Sequence, residues 1–137
     1  INRTDAFLQT ASAALPLNQL HVISADWART SALREMQNLS AEEMNEADAV
    51  ICSNDSMALG VADFYAEQNL SPPVIIGING IQEMQDAIDA GVIYGTVDLN
   101  VLEQAKTIFT IVQGIFDAGA EMPKEKVCYL PQSPYTK

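Results

Sequence analysis

The residues best suited to contact a ligand in this 137-residue chain lie in Ser53–Gly60, the run SNDSMALG. This run follows Ala49–Cys52, a short apolar stretch typical of a buried parallel strand, and it continues into apolar residues at helical spacing. Asn54 therefore lies between the carboxyl end of a strand and the beginning of a helix, which Ser53 or Asp55 can cap. Small ligands bind in this crevice in open α/β sheets, so the run predicts a binding function and does not require catalysis.

Polar or aromatic side chains recur after each of four predicted strands. In strand order they are Trp27, Asn54, Asn79, and Asp98 with Asn100. Because the carboxyl ends of parallel strands point the same way, we expect these side chains to converge on one edge of the sheet. An amide both donates and accepts hydrogen bonds, which suits hydroxyl-rich ligands, and a Trp ring suits the C–H face of a sugar. Taken singly, Asn54 is explained as a helix cap, Asn79 as a turn residue and Trp27 by packing, but their alignment favours a binding site.

The elements that must position these residues are short strands that alternate with helices. The predicted strands are Leu20–Ser24, Ala49–Cys52, Val74–Ile78, Ile93–Val97 and Val127–Leu130. Helices are predicted where apolar residues recur at helical spacing, in the ranges 7–15, 32–39, 55–68, 81–88 and 102–116. The acidic stretch Glu42–Asp48 is predicted to be a solvated connection. This alternation predicts an α/β fold with a doubly wound, mostly parallel sheet and helices on both faces.

The composition is that of one globular domain. Hydrophobic residues make up 48% of the chain, and 18 acidic residues outnumber 7 basic ones, which gives a formal net charge of −11. A charge of this sign repels phosphate backbones and anionic lipids, so we expect no nucleic-acid binding and no membrane-surface binding by this segment. No run approaches the roughly 20 apolar residues that a membrane-spanning helix needs.

Residue types that carry metal or nucleophilic chemistry are scarce. The chain has one histidine, His21, in an apolar predicted strand, and two cysteines, Cys52 and Cys128, at no zinc-binding spacing. Because no nucleophile–base pair is present either, we predict no metal site, no cofactor and no enzymatic activity. The acidic residues at 42–48 are better explained as a solvated charge run than as the facing carboxylates of a glycosidase. The cysteines are predicted to be buried thiols, with a disulfide as the alternative in an oxidising compartment.

Three sequence runs carry a family resemblance. Ser53–Gly60, Val74–Gly80 (VIIGING) and Ala87–Val97 (AIDAGVIYGTV) together resemble the carboxyl-terminal portion of the type I periplasmic binding proteins, the ribose-binding class. The resemblance implies a bacterial periplasmic receptor that closes a hinge around a small polar, carbohydrate-like ligand and is recognised by a membrane transporter, chemoreceptor or sensor kinase. The effector-binding domain of a lactose-repressor-like transcription regulator shares the fold and the N-D-x-M-A-L-G motif and is the alternative.

The resemblance also implies ligand-contacting residues. The Arg that opens the first helix in that class matches Arg3, the aromatic residue of the A-D-aromatic turn matches Trp27, and the motif Asn matches Asn54. Two positions depart from the family pattern: Asn79 stands where the family usually has Asp, and Leu99 stands where ribose-type members have Gln. An amide accepts weaker hydrogen bonds than a carboxylate and also donates, so the identity of the sugar stays open.

A domain division follows from the same resemblance. Residues 1–100 correspond to the carboxyl-terminal ligand-binding lobe, incomplete at its start, and residues 101–137 correspond to a helix and strand that cross back to the amino-terminal lobe. The apolar stripe of Leu102–Phe116 then has no partner within this chain. We therefore expect a fragment whose stripe is covered by the missing amino-terminal lobe or by a second copy in a homo-oligomer.

Overall fold

A computed structural model describes residues 2–14, 16, 20–117 and 130–136 of the chain. Within these ranges it contains helices and strands in an alternating order. In chain order they are α1 (Arg3–Ala11), α2 (Arg29–Gln37), α3 (Ala41–Glu46), β1 (Ala49–Ile51), α4 (Asp55–Glu67), β2 (Val74–Asn79), α5 (Gln82–Asp89), β3 (Gly95–Asp98), α6 (Val101–Asp117) and β4 (Ser133–Thr136).

The strands form one sheet in the order β1-β2-β3-β4. β1, β2 and β3 are parallel, with Ile76 of β2 paired with Ile51 on one side and with Gly95 on the other. β4 pairs with β3 in the antiparallel direction. The predicted α/β class with a mostly parallel sheet is confirmed.

The core lies between this sheet and the helices that connect its strands. Ile75 on β2 and Met84 and Ile88 on α5 are fully buried, whereas Val74, the neighbour of Ile75, is exposed. This alternation is the period of two that a strand imposes when one of its faces packs more tightly than the other. Buried residues of α4, among them Phe64, join the same apolar cluster, so both crossover helices share one core.

Two close contacts hold α2 against α4. A Cβ atom added at Gly60 on α4 would overlap the backbone carbonyl oxygen of Arg29, so the two helices approach more closely than a larger residue allows. The Arg29 guanidinium forms a two-pronged ion pair with Asp63 on α4 and a further ion pair with Glu83 on α5. These hydrogen bonds raise the pKa of Arg29 and connect three helices at the surface.

The predicted strand Leu20–Ser24 is wrong. Its residues have no regular secondary structure, and Val22 and Ile23 are 63% and 45% exposed. β-branched residues favour a strand only where a neighbouring strand accepts their backbone hydrogen bonds. No such partner lies beside this segment among the residues that the structure describes.

The acidic stretch Glu42–Asp48 and the carboxyl-terminal residues also differ from expectation. Much of Glu42–Asp48 is helical: it belongs to α3, which begins with a reciprocal capping box between Ser40 and Glu43. β4 was not predicted, because its sequence contains Pro134 and is too short to show a pattern. Of the predicted strand Val127–Leu130, residues 127–129 lie outside the described residues, and Leu130 is not in a strand.

β4 is attached to the sheet by more than its ladder. Tyr135 packs against the core cluster, and its hydroxyl donates a hydrogen bond of 3.0 Å to Asp89 at the end of α5. This hydrogen bond raises the pKa of Tyr135. The last described residues of the chain therefore belong to the same sheet as β1–β3.

α6 exposes a stripe of large apolar side chains. Leu102, Ile108, Phe109 and Phe116 are each more than 60% exposed, and the helix has no buried residue. The expectation that this stripe lacks a partner within the chain agrees with these exposures. None of the helices in the described ranges has the length and apolar character needed to cross a membrane.

Candidate functional site

The four residues predicted to contact a ligand form one connected group, which we call the rim cluster: Arg3, Trp27, Asn54 and Asn79. The Arg3 Nη1 donates to Asn79 Oδ1 at 3.2 Å and also to the carbonyl oxygen of Ser53. The guanidinium carbon of Arg3 lies 5.6 Å from the centre of the Trp27 ring. Asn54 Nδ2 donates to the carbonyl oxygen of Trp27 at 3.0 Å. The predicted convergence on one edge therefore exists, and a role in binding stays a prediction.

Arg3 reaches this edge because it is the first residue of α1. The side chain of Asn2 caps the helix by accepting a 2.8 Å hydrogen bond from the backbone N–H of Asp5. The guanidinium of Arg3 is then directed to the carboxyl ends of β1 and β2. Its stacking on Trp27 is a cation–π contact, which holds both side chains in position.

Asn54 has a structural task as well as its place in the cluster. Its Oδ1 accepts the backbone N–H of Met57 at 2.8 Å, so Asn54, and neither Ser53 nor Asp55, is the N-cap of α4. The residue is 8% exposed. A role as helix cap and a role in the binding site are therefore compatible for Asn54. Its hydrogen bonds to Trp27 and Met57 leave one amide hydrogen and one oxygen lone pair for another partner.

The turns that carry the cluster have unusual backbone geometry. Trp27 has a φ of 61° and follows Asp26, with a φ of 47°, and this left-handed pair leaves the ring 59% exposed. Asn79 has a φ of 147° and Gly80 a φ of 77°. Asn100, on the loop after β3, has a φ of 51°. Left-handed backbone costs energy for any residue except glycine, so these turns are held in place by their surroundings.

Asp55 holds the turn after β2 in place. Its side chain is fully buried, and Oδ2 accepts the backbone N–H groups of Gly80 and Ile81 at 2.7 and 2.9 Å. Its Oδ1 accepts the hydroxyl of Thr96 on β3 at 2.6 Å. One carboxylate thus joins the beginning of α4, the turn after β2 and the strand β3. Gly77 makes room for it, because a Cβ atom there would overlap Asp55 Oδ1.

Sequence reasoning treated Asp55 only as a helix cap and missed this role. The available signal was the Asn79-Gly80 turn, whose backbone N–H groups need acceptors once the turn packs beside a buried helix end. Asp98 and Asn100, also predicted at this edge, close a local turn in which Asp98 Oδ1 accepts the Asn100 N–H at 2.7 Å. Parallel pairing places Asp98 beside Asn79 in the sheet.

Other candidate sites are poorer in polar groups. A surface concavity of about 640 Å³ lies at the opposite end of the sheet, near Val74 and Tyr94, without a group of converging polar side chains. His21 is exposed. In the part of the chain that the structure describes, no three His, Cys, Asp or Glu side chains group as a metal site would require. The rim cluster is therefore the candidate site.

The family of the chain is shown by comparison with known proteins. The profile of the periplasmic binding protein domain matches residues 1–121. The chain belongs to this family. Its curated relatives include the D-allose-binding periplasmic protein of Escherichia coli, 30% identical over 124 residues, a match that covers 90% of this chain and 38% of the relative. A xylitol-binding protein of Mycolicibacterium smegmatis is 29% identical over 96 residues, covering 70% and 28% of the two chains.

A solved structure agrees with the sequence comparison. The Caulobacter myo-inositol binding protein, bound to myo-inositol, superposes with a TM-score of 0.81 at 25% identity and covers 98% of this chain and 46% of its own. This periplasmic binding protein domain thus spans less than half the length of the relatives it matches.

Cys52 lies in this periplasmic binding protein domain directly before the Ser53–Gly60 run. It is 7% exposed, and burial, with a smaller contribution from the nearby charge of Asp55, raises the pKa of its thiol to about 12. Cys128 lies outside the described residues, so the predicted alternative of a disulfide is not tested.

We expect the Cys52 thiol to be almost inert in the folded chain. With a pKa of about 12, only about one thiol in ten thousand is ionised at pH 8, and the thiolate is the reactive form. In a Cys128→Ser variant, a thiol reagent such as Ellman's reagent should therefore label Cys52 only after denaturant is added. Labelling within seconds in buffer would show that this strand end opens readily, and a Cys52→Ser variant provides the matched blank.

Proposed function

We propose that this chain is the ligand-binding lobe of an exported bacterial solute receptor that binds a small polyhydroxylated ligand. The observation that carries the proposal is the rim cluster, in which Arg3, Trp27, Asn54 and Asn79 are joined at the carboxyl ends of parallel strands. Relatives named for D-allose and xylitol and a structure with bound myo-inositol support this class of ligand.

The chemistry of the rim cluster suits such a ligand. Amide and guanidinium groups donate to hydroxyl oxygens, and the amide oxygens accept from hydroxyl hydrogens. The Trp27 ring, 59% exposed, offers an apolar face to the C–H groups of a ring. Binding by such groups needs neither a cofactor nor catalytic machinery, and the named relatives are binding proteins, which supports a role outside catalysis.

The mechanism we propose is hinge closure. The rim cluster lies on an open edge and supplies half of the contacts, and an amino-terminal lobe supplies the other half, so the ligand stabilises only the closed form. Residues 1–100 form the carboxyl-terminal lobe in this proposal. The exposed stripe of α6 packs against the amino-terminal lobe. β4 then returns to the carboxyl-terminal lobe, where it pairs with β3.

The closed receptor would act in the periplasm. It would deliver its ligand to an ABC transporter or be recognised by a chemoreceptor or sensor kinase. The repressor-domain alternative has less support, because the relatives named above are periplasmic or solute-binding proteins.

We expect Trp27→Ala to weaken ligand binding by about 10- to 100-fold, because it removes an aromatic face worth about 1.5–3 kcal/mol when covered by a ligand. Isothermal titration calorimetry of the full-length protein against D-allose, xylitol, myo-inositol and D-ribose measures the affinity. Trp27→Phe keeps a flat ring and should lose much less. Unchanged affinity in Trp27→Ala would remove the ring from the site. Absence of binding to this panel, to related neutral sugars and to the corresponding sugar acids would reject the proposed function.

A further inference from the structure

From the charge balance of the rim cluster we infer that it selects a ligand with a carboxylate, a sugar acid such as an aldonate or uronate, over the neutral sugar of the same shape. This inference rests on the proposed function and narrows its ligand class. It depends on one feature of the cluster, the positive charge of Arg3, for which the described residues provide no counter-charge.

Among the described residues, Arg3 is paired only with neutral oxygens. Its Nη1 donates to the Ser53 carbonyl and to the amide oxygen of Asn79. Ion pairs in the described ranges are formed by Arg29, Arg34 and Lys106, and none of them includes Arg3. A cation without an ion pair is notable in a chain with 18 acidic and 7 basic residues.

Arg29 is the internal comparison. It is the same residue type, also at the beginning of a helix, and two carboxylates from Asp63 and Glu83 surround its guanidinium. Arg29 is thus neutralised by its neighbours, whereas no carboxylate of the described residues neutralises Arg3. This difference between Arg29 and Arg3 is what we expect if the positive charge of Arg3 interacts with a ligand.

The carboxylates nearest the cluster are already occupied or do not reach Arg3. Asp55 is buried and accepts three hydrogen bonds, and Asp98 accepts the N–H of Asn100. Asp26, next to Trp27, is exposed and forms no ion pair with Arg3 among the described residues. Asp55 and Asp98 keep their negative charges, because their donors are neutral, but no carboxylate among the described residues forms an ion pair with Arg3.

Donors that remain available have the geometry a carboxylate needs. Nε and Nη2 of Arg3 and Nδ2 of Asn79 have no acceptor within the described part of the chain. A guanidinium presents its N–H groups as a planar fork that matches two carboxylate oxygens, and the guanidinium of Arg3 lies over the Trp27 ring.

Asn79 determines the preference for an acidic ligand over a neutral one. The family pattern named above usually has Asp at this position, and an Asp here would neutralise Arg3 and repel an anionic ligand. The amide of Asn79 does neither, and it adds a donor that a ligand carboxylate can use. A neutral sugar gains less at this site, because its hydroxyl oxygens accept hydrogen bonds without the assistance of charge.

The test is isothermal titration calorimetry of the full-length protein with matched pairs: D-galacturonate against D-galactose, D-gluconate against D-glucitol, and D-ribonate against ribitol. We expect the acid to bind about 10- to 100-fold more tightly than its neutral partner in the pair that fits best. Its affinity should also fall as salt screens the interaction. Tighter binding of the neutral member in every pair that binds would overturn this inference alone. Binding of neither acids nor neutral sugars would overturn it together with the proposed function.

A charge variant sharpens the test. Asn79→Asp should lower the ratio of the affinity for the acid to the affinity for its neutral partner by about 10- to 100-fold. Asn69→Asp is the matched control: Asn69 is exposed, also has a positive φ of 54°, and lies 15 residues along from Asn54 at the far end of α4. If both variants change the affinity for the acid equally, net charge and not the rim cluster sets the preference, which would contradict the inference.

Discussion

Asp55→Ala is expected to lower the free energy of unfolding by about 3–5 kcal/mol, because it leaves two half-buried donors and one buried donor without an acceptor. The backbone N–H groups of Gly80 and Ile81 and the hydroxyl of Thr96 all donate to this carboxylate, which is fully buried. The variant also releases the turn after β2, and with it Asn79. Urea or guanidinium denaturation followed by far-UV circular dichroism measures the change.

Asp55→Asn separates the shape of the side chain from its acceptor capacity. The amide oxygen can still accept the two backbone N–H groups, and its NH₂ group can donate to the Thr96 hydroxyl, which then reverses its role. We expect a smaller loss of about 1–2 kcal/mol. An Asp55→Ala variant as stable as the parent chain would show that water or another group satisfies these donors and would contradict the role assigned to Asp55.

Gly60→Ala is expected to destabilise the chain by about 3 kcal/mol, although alanine is the better helix former. The added Cβ atom would overlap the carbonyl oxygen of Arg29 and meet the Cβ of Ala32 at 3.1 Å, so α2 must move away from α4. Because the Arg29 ion pairs span the same interface, that movement weakens them as well.

Gly114→Ala is the matched control for this substitution. Gly114 lies inside α6, and a Cβ atom there would meet no atom within 4 Å. The change should raise stability by about 0.5–1 kcal/mol, the usual gain of Gly→Ala in a helix interior. Thermal and chemical denaturation of both variants compares them directly. Equal effects at the two positions would mean that helix propensity, and not close packing of α2 on α4, determines the stability change of Gly60→Ala.

The alternation of strands and helices was predictable because it depends on local patterns. Val74–Ile78 is apolar throughout and bounded by Pro73 and Asn79-Gly80, and α4 repeats its apolar residues at helical spacing. The meeting of Asn54 and Asn79 at one edge followed from the direction of parallel strands. The positions of Arg3 and Trp27 followed from the family resemblance, because the strand predicted before Trp27 is absent. These features need no knowledge of distant partners.

The contacts that fix the geometry of the site were not predictable in the same way. Asp55 accepts from groups 25, 26 and 41 residues away, and no local pattern reports such partners. The strand predicted at Leu20–Ser24 is absent for the converse reason: β-branched residues form a strand only where a neighbouring strand pairs with them. β4 forms from Ser133–Thr136, four residues whose pairing with β3 decides their conformation.

The left-handed turns have an evolutionary consequence. Trp27, Asn79 and Asn100 all adopt φ angles that glycine tolerates at lower cost, by an amount of order 1 kcal/mol at each position. Glycine at these three positions would remove this cost, and it would also remove the Trp27 and Asn79 side chains, which we propose contact the ligand. A laboratory evolution experiment that rewards heat resistance alone should accumulate glycine there, whereas one that also rewards ligand capture should retain the present residues.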